Sequence, residues 1–221
     1  MSEIFETLLW RGGPPPATWS LHLERLQRGA ARAGLPLPSE DALRTELTRT
    51  VPAHLGLQRL RLAWHAGGPT VNFRTPSAAE LAPPPAHLRL GPSVRDPAHP
   101  WAGCKHSAWQ NELTPDQLVR SVDGAWSETC VANLLVGLDD GTIATPAEQA
   151  APLPGTTLAA LRLAGVTISP RHWATTEGVR WLLLLNAVRG ASAVASVDGA
   201  PLCPPPADLT ALAVQLVQPP P

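Results

Sequence analysis

Along much of the chain, apolar and polar residues alternate in short stretches, a pattern typical of strands with one buried face. Between Leu57 and Trp64 the apolar positions alternate with arginine, and Gly67-Gly68 then turns the chain into a second strand at 70–73. This arrangement predicts a β-hairpin. Further strands are expected at 4–10, 87–90, 118–122, 126–137, 141–145, 166–168, 181–188 and 193–197.

Other stretches repeat apolar residues every three or four positions, as one face of a helix does. The first runs from Thr18 to Gly34, and the second follows Ser39, a residue type that caps helix N-termini. Further helices are expected at 107–116, 156–164, 171–179 and 207–217. Because hairpin-like connections dominate, the sequence predicts an α+β fold with mainly antiparallel sheets and flanking helices.

A proline-rich segment divides the chain. Ala79 to Pro85 ends in three consecutive prolines, a composition typical of a stiff linker. A chain of 221 residues is long enough for one substantial core or two smaller ones. We therefore expect two lobes, a small N-terminal α+β lobe at 1–82 and a larger C-terminal lobe at 83–221.

Composition excludes several classes of function. The net charge is −1 and only 16% of residues are charged, which argues against binding to nucleic acid or to an anionic membrane surface. The apolar run from Trp181 to Leu185 is too short to span a bilayer. Three cysteines without metal-site spacing, and an acidic rather than basic start, predict a cytoplasmic protein with reduced thiols.

Two residues suggest chemistry. Glu128 lies within a strand pattern, where a carboxylate is costly unless a cationic partner, such as the ring N–H of a protonated heterocycle, faces it. Lys105 is the only lysine among 17 lysine and arginine residues. A lysine, a strand carboxylate and a phosphate-binding arginine are the groups that a pyridoxal phosphate site requires.

Four segments, taken in order, resemble the motifs of the fold-type IV pyridoxal phosphate enzymes (aminotransferase class IV), and the resemblance covers roughly residues 3 to 199. That family includes branched-chain and D-amino-acid aminotransferases and 4-amino-4-deoxychorismate lyase. The matching segments are Phe5-Glu6-Thr7-Leu8 with His22-Leu23-Glu24-Arg25-Leu26, then Ala102-Gly103-Cys104-Lys105-His106, then Glu128 through Asn133-Leu134 to Thr145-Pro146, and finally Leu153-Pro154-Gly155-Thr156-Thr157.

The resemblance implies a D-amino-acid aminotransferase-like fold with pyridoxal 5′-phosphate in a cleft between the lobes. Lys105 is implied as the lysine that forms the Schiff base and moves the proton, and Glu128 as the partner of the pyridine nitrogen. Asn133 is expected to be a structural amide. The implied phosphate-binding residues are Arg25, the helix start at Gly155, Thr156 and Thr157, and a second turn at Asn186 and Ala187.

Three functions remain open. A homodimer is expected, and the two catalytic functions would act on a small-molecule amino substrate. His106 after Lys105 and the pair Thr129-Cys130 favour a lyase acting on 4-amino-4-deoxychorismate. A transaminase of branched-chain or D-amino acids would need a clamp for the substrate carboxylate, for which Arg74 and Arg171 are the candidates. A non-catalytic homologue is suggested by the absence of tyrosine and by a shortened segment after the lysine.

Overall fold

The computed structural model describes residues 3–107 and 114–219, and the strands in these ranges form two sheets. The first sheet is antiparallel with the order β1-β2-β3, and Leu8 on β1 lies opposite Leu60 on β2. Two helices pack on this sheet and complete the first core. The elements are β1 Ile4–Trp10, α1 Trp19–Arg32, α2 Glu40–Thr50, β2 Gln58–His65 and β3 Gly68–Arg74.

Helix α1 brings polar residues as well as apolar ones to its buried face. His22, Arg25 and Leu26 are all buried on this face, at the spacing of one helix side. Gly29 lies on the same side, where an added Cβ would approach Ile4 Cγ2 to 2.8 Å. The helix therefore lies close against β1, and its polar residues point toward the neighbouring strand.

The second sheet contains nine strands in the order β10-β11-β4-β5-β6-β7-β8-β9, with β12 paired to β11. An additional pairing between β10 and β7 closes six of these strands into a ring. The short helix α3 Ala78–Leu81 precedes this sheet. The strands of the second sheet are β4 Ala86–Arg95, β5 Gln117–Ser121, β6 Trp126–Thr129, β7 Asn133–Leu138, β8 Ile143–Pro146, β9 Ser169–Arg171, β10 Val179–Asn186, β11 Gly190–Val197 and β12 Ala200–Pro201. Two further helices in this part of the chain are α4 Thr156–Leu163 and α5 Ala207–Val217.

The predicted α+β fold with mainly antiparallel sheets is confirmed, since only the β4–β5, β4–β11 and β8–β9 pairings in the described residues are parallel. The helix expected at 107–116 falls mostly on 108–113, outside the described residues. Among the described helices, none combines the length and apolar character needed to cross a membrane.

Three predicted elements are wrong. The strand expected at 166–168 is not formed, because Val166 N closes the end of α4 by donating to Leu161 O at 3.0 Å, and β9 begins only at Ser169. The single strand expected at 126–137 is a pair of antiparallel strands, β6 and β7, because the Thr129 hydroxyl accepts a hydrogen bond from Ala132 N at 3.1 Å and closes a turn between them. The helix expected at 171–179 is absent from that described segment. Its carbonyl groups bind Trp126 instead: Trp173 O accepts from the Trp126 backbone N–H at 2.8 Å, and Ala174 O accepts from the indole N–H at 3.1 Å.

Candidate active site

A cavity of about 1110 Å³, including its open mouth, lies between the two sheets. Its walls come from β1, α1 and β2 on one side and from β6, the start of α4 and the turn after β10 on the other. The structure places all eight site residues expected from the sequence on its wall: Arg25, Lys105, Glu128, Gly155, Thr156, Thr157, Asn186 and Ala187.

Lys105 is held at the base of the cavity by the backbone of β1. Its carbonyl oxygen accepts a hydrogen bond from Phe5 N at 3.0 Å, and its ammonium lies 5.1 Å from the centre of the Phe5 ring. Burial, together with the nearby positive charge of Arg25, lowers the pKa of Lys105 to about 8. An amine with such a pKa supplies much more free base near neutral pH than an ordinary lysine does.

Glu128 is buried on β6 and forms an ion pair that the sequence did not reveal. Its Oε1 lies 2.8 Å from Arg95 Nε, and its Oε2 accepts a hydrogen bond from Leu153 N at 3.0 Å. Burial raises the pKa of Glu128, and the charge of Arg95 opposes that rise. A strand carboxylate requires a cationic partner, but nothing in the sequence indicated that Arg95, at the end of β4, would be that partner.

Glu6 joins Arg25 and His22 in a second buried cluster. Arg25 donates from Nε to Glu6 Oε1 at 2.8 Å, from Nη2 to Oε2 at 2.5 Å, and from Nη1 to Pro154 O at 2.8 Å. His22 Nδ1 lies 2.7 Å from the same carboxylate. The guanidinium is thereby fixed in place, and two of its five N–H donors are not used by these contacts.

The protonation of this cluster follows from its burial and its charges. Burial would raise the pKa of Glu6, but the charge and hydrogen bonds of Arg25 outweigh it, so that the pKa falls to about 2. Burial lowers the pKa of His22. At neutral pH the cluster therefore contains a carboxylate, a guanidinium and a neutral imidazole that donates its Nδ1–H to Glu6.

The start of α4 forms one end of the cavity, and its groups suit an anion. The hydroxyl of Thr157 is buried and has no hydrogen-bond partner among the described residues, and the backbone N–H groups of a first helical turn favour an anion. A Cβ on Gly155 would lie 2.0 Å from Asn133 Oδ1, so only glycine fits there. Asn133 Nδ2 donates to Leu153 O at 2.6 Å, which agrees with its expected structural role.

A second turn, after β10, lies on the same wall. The side-chain oxygen of Asn186 accepts hydrogen bonds from Val188 N at 3.0 Å and from Arg189 N at 2.9 Å. Asn186 therefore holds the turn closed with its own side chain, and Ala187 lies at the tip of that turn on the cavity wall.

Two arginines that line the cavity are each more than a third exposed and therefore mark its mouth. Arg59 and Arg61 lie on one face of β2: Arg59 binds Glu80 at 2.8 Å, and Arg61 pairs with Glu3 and lies 3.5 Å from the centre of the Phe5 ring. Six basic and two acidic side chains line the cavity, and a basic excess remains when Glu3 and Glu6 are included. The basic residues are Arg25, Arg59, Arg61, Arg95, Lys105 and Arg189.

The two arginines expected to clamp a substrate carboxylate do not line the cavity, so that prediction is wrong. Arg74 is half exposed and binds Glu80, and Arg171 lies exposed at the end of β9. The alternation of apolar residues with arginine in β2 could have identified Arg59 and Arg61 as residues of the cavity wall. Because Leu60 and Leu62 face the first core, the arginines between and beside them must face the other way.

A model of the family described as amino-transferase class IV matches residues 3–197. No match was found among curated proteins.

Solved structures cover nearly the whole chain. A hypothetical aminotransferase from Mycobacterium tuberculosis in its pyridoxal phosphate-bound form is 24% identical with a TM-score of 0.76, covering 96% of this chain and 88% of its own. A 4-amino-4-deoxychorismate lyase from Pseudomonas aeruginosa is 24% identical with a TM-score of 0.72, covering 97% and 89%. A fold IV-transaminase from Curtobacterium pusillum is 26% identical with a TM-score of 0.72, covering 97% and 86%.

Proposed function

The chain belongs to the amino-transferase class IV family of pyridoxal 5′-phosphate-dependent enzymes, and from that premise we propose that it is a 4-amino-4-deoxychorismate lyase. The reaction converts 4-amino-4-deoxychorismate into 4-aminobenzoate and pyruvate, a step of folate biosynthesis in the cytoplasm. The observation that carries this proposal is the basic mouth of the cavity beside Lys105.

The residues of the cavity fit the cofactor of the family. The unpartnered hydroxyl of Thr157 and the N-terminus of α4 suit its phosphate, together with the two donors that Arg25 retains. The carboxylate of Glu128 suits its pyridine nitrogen. When bound, pyridoxal phosphate supplies a ring that accepts electron density from the carbon losing a proton.

The chain's own groups then have separate tasks. Lys105, with its pKa near 8, holds the cofactor and takes the proton from the substrate carbon. Glu128 keeps the ring nitrogen protonated, and Glu6 keeps Arg25 aimed at the phosphate end. The closed turn at Asn186 supports the same end of the cavity.

The arginines of β2 favour a substrate with two carboxylates, which 4-amino-4-deoxychorismate has. Arg59 and Arg61 lie on β2, a different wall of the cavity from the start of α4, so they are proposed to bind substrate while the phosphate site is filled. A branched-chain side chain would instead lie against these ion-paired guanidinium groups and offer them no hydrogen-bond acceptor. A transaminase of a dicarboxylic amino acid is the second candidate, because the same arginines would accept it.

The cofactor spectrum separates the two functions. A lyase has no second half-reaction, so alanine, branched-chain amino acids or glutamate should leave the aldehyde form of the cofactor intact, and 4-aminobenzoate should appear from 4-amino-4-deoxychorismate. Rapid conversion to the amine form by an amino acid, with no 4-aminobenzoate produced, would identify a transaminase instead.

Replacement of the mouth arginines should weaken substrate binding. Arg59→Gln and Arg61→Gln each remove a charge-assisted hydrogen bond worth about 1.5–3 kcal/mol, so KM should rise about 10- to 100-fold with a smaller change in kcat. Steady-state kinetics on 4-amino-4-deoxychorismate measure both constants. Arg171→Gln, on the exposed end of β9, is the matched control and should leave KM unchanged. An unchanged KM in both β2 variants would contradict this role.

We also propose that the protein is a homodimer, as fold-type IV enzymes commonly are. Light scattering at micromolar protein concentration should give twice the chain mass of 23.4 kDa. A monomer under these conditions would contradict the proposal without affecting the assignment of the site.

A further inference from the structure

The ion pair between Arg95 and Glu128 spans a strand within the second sheet. Arg95 ends β4 and lies opposite Ser121 of β5, while Glu128 on β6 lies opposite Val119 of β5. The guanidinium therefore crosses β5 to reach the carboxylate, with 2.8 Å between Nε and Oε1. Both side chains are about 5% exposed, and both contribute to the cavity wall.

Such a pair is not explained by stability alone. Removing two charges from water costs several kcal/mol per ion, and well-packed apolar residues in their place are often as stabilising or more so. Here both carboxylate oxygens have partners, since Leu153 N donates to Oε2 at 3.0 Å. Leu153 belongs to the segment that leads into α4, so the carboxylate is held between two walls of the cofactor cavity.

We propose that Arg95 is a positioning residue of the cofactor site, which holds the Glu128 carboxylate ionised and in one orientation so that it can keep the pyridine nitrogen protonated. The inference rests on the role given to Glu128 under the proposed function. It is independent of the choice between lyase and transaminase.

The charges around Glu128 support this role. Burial raises the pKa of the carboxyl, and Arg95 is the strongest of the groups that oppose the rise, ahead of the Leu153 N–H and the ammonium of Lys105. The Cys130 thiol, next on the chain after Thr129, also faces Arg95 and Glu128, and burial raises its pKa so that it stays neutral. Without Arg95, burial favours a protonated Glu128, which cannot stabilise a pyridinium.

Nuclear magnetic resonance of the protein loaded with pyridoxal phosphate labelled with ¹⁵N in its ring tests the proposal without recourse to activity. At neutral pH the wild type should show a pyridinium nitrogen. Arg95→Gln should lose that resonance and show an unprotonated pyridine nitrogen. Arg89→Gln is the matched control on the same strand, because Arg89 pairs with Asp116 in an exposed position, and it should behave as the wild type.

Glu128→Gln tests the role of Glu128 separately from the role of Arg95. If this variant keeps the pyridinium resonance, the role of Glu128 fails, and the inference about Arg95 fails with it. If it loses the resonance while Arg95→Gln keeps it, the role of Glu128 stands and the inference about Arg95 is overturned. When both lose it, the double variant should turn over no more slowly than Glu128→Gln alone, since Arg95 acts through Glu128.

Arg95→Lys decides the matter if Arg95→Gln does not fold. A buried lysine loses its proton far more readily than an arginine does, because burial lowers the pKa of its ammonium. The ring nitrogen of Arg95→Lys should therefore lose its proton at a lower pH than in the wild type. The same midpoint in both proteins would overturn the inference.

Discussion

Lys105→Ala is expected to abolish covalent attachment of pyridoxal phosphate and to lower turnover by at least about 10²- to 10⁴-fold, the usual contribution of a positioned proton-transfer group. Lys105 lies on the cavity wall with a pKa of about 8, so it is the cavity group suited both to attach the cofactor and to accept a proton near neutral pH. Loss of one amine should therefore remove two functions together.

The measurement is simplified by composition, because Lys105 is the only lysine in the chain. Borohydride reduction followed by peptide mass mapping should place the adduct on the segment 102–110. Lys105→Arg keeps a positive charge but not the nucleophile, so it should fold, bind the cofactor non-covalently and show the same loss of turnover. An unmodified Lys105 after saturation with pyridoxal phosphate would refute the assignment.

Glu6→Gln should lower the free energy of unfolding by about 3–5 kcal/mol, the cost of removing one partner from a buried ion pair. The carboxylate holds Arg25 through two hydrogen bonds and His22 through a third, and all three side chains are nearly inaccessible to solvent. Urea unfolding measures the difference. Glu40→Gln is the matched control, because its ion pair with Arg44 is half exposed and should contribute less than about 1 kcal/mol, while the amide oxygen of glutamine can still accept from Trp19 Nε1.

The same cluster makes the stability of the folded protein depend on pH. The pKa of Glu6 falls from 4.5 to about 2 on folding. Its contribution to the free energy of unfolding is therefore complete at pH values above 4.5 and is lost as the pH falls toward 2. A shift of this size corresponds to about 3 kcal/mol. The lowered pKa of His22 acts in the same direction, and its contribution is lost as the pH falls below 6.5.

Unfolding experiments at a series of pH values should therefore show wild-type stability falling steeply between about pH 4.5 and 2, and Glu6→Gln should follow a shallower curve. Parallel curves for the two proteins would mean that Glu6 does not titrate with a depressed pKa. The control Glu40→Gln should reproduce the steep wild-type curve.

The sequence by itself determined the helices and strands whose formation depends only on residues nearby in the chain. The hairpin of β2 and β3, helix α1 and the Ser39 cap of α2 all follow from periodicity or from a capping side chain. The resemblance of the motifs to those of a known family also indicated which eight residues would meet in the cavity.

Only the tertiary structure decided how those residues are held. Periodicity assigns a side chain to a face but does not identify its partner on a distant strand, so the pairing of Glu128 with Arg95 could not be read from the pattern. The pairing of Glu6 with Arg25 likewise depends on how α1 packs on β1. The expected helix at 171–179 failed for the same reason, since its carbonyl groups bind Trp126 on β6. Partner choice depends on which strands become neighbours, and chain topology sets this at long range.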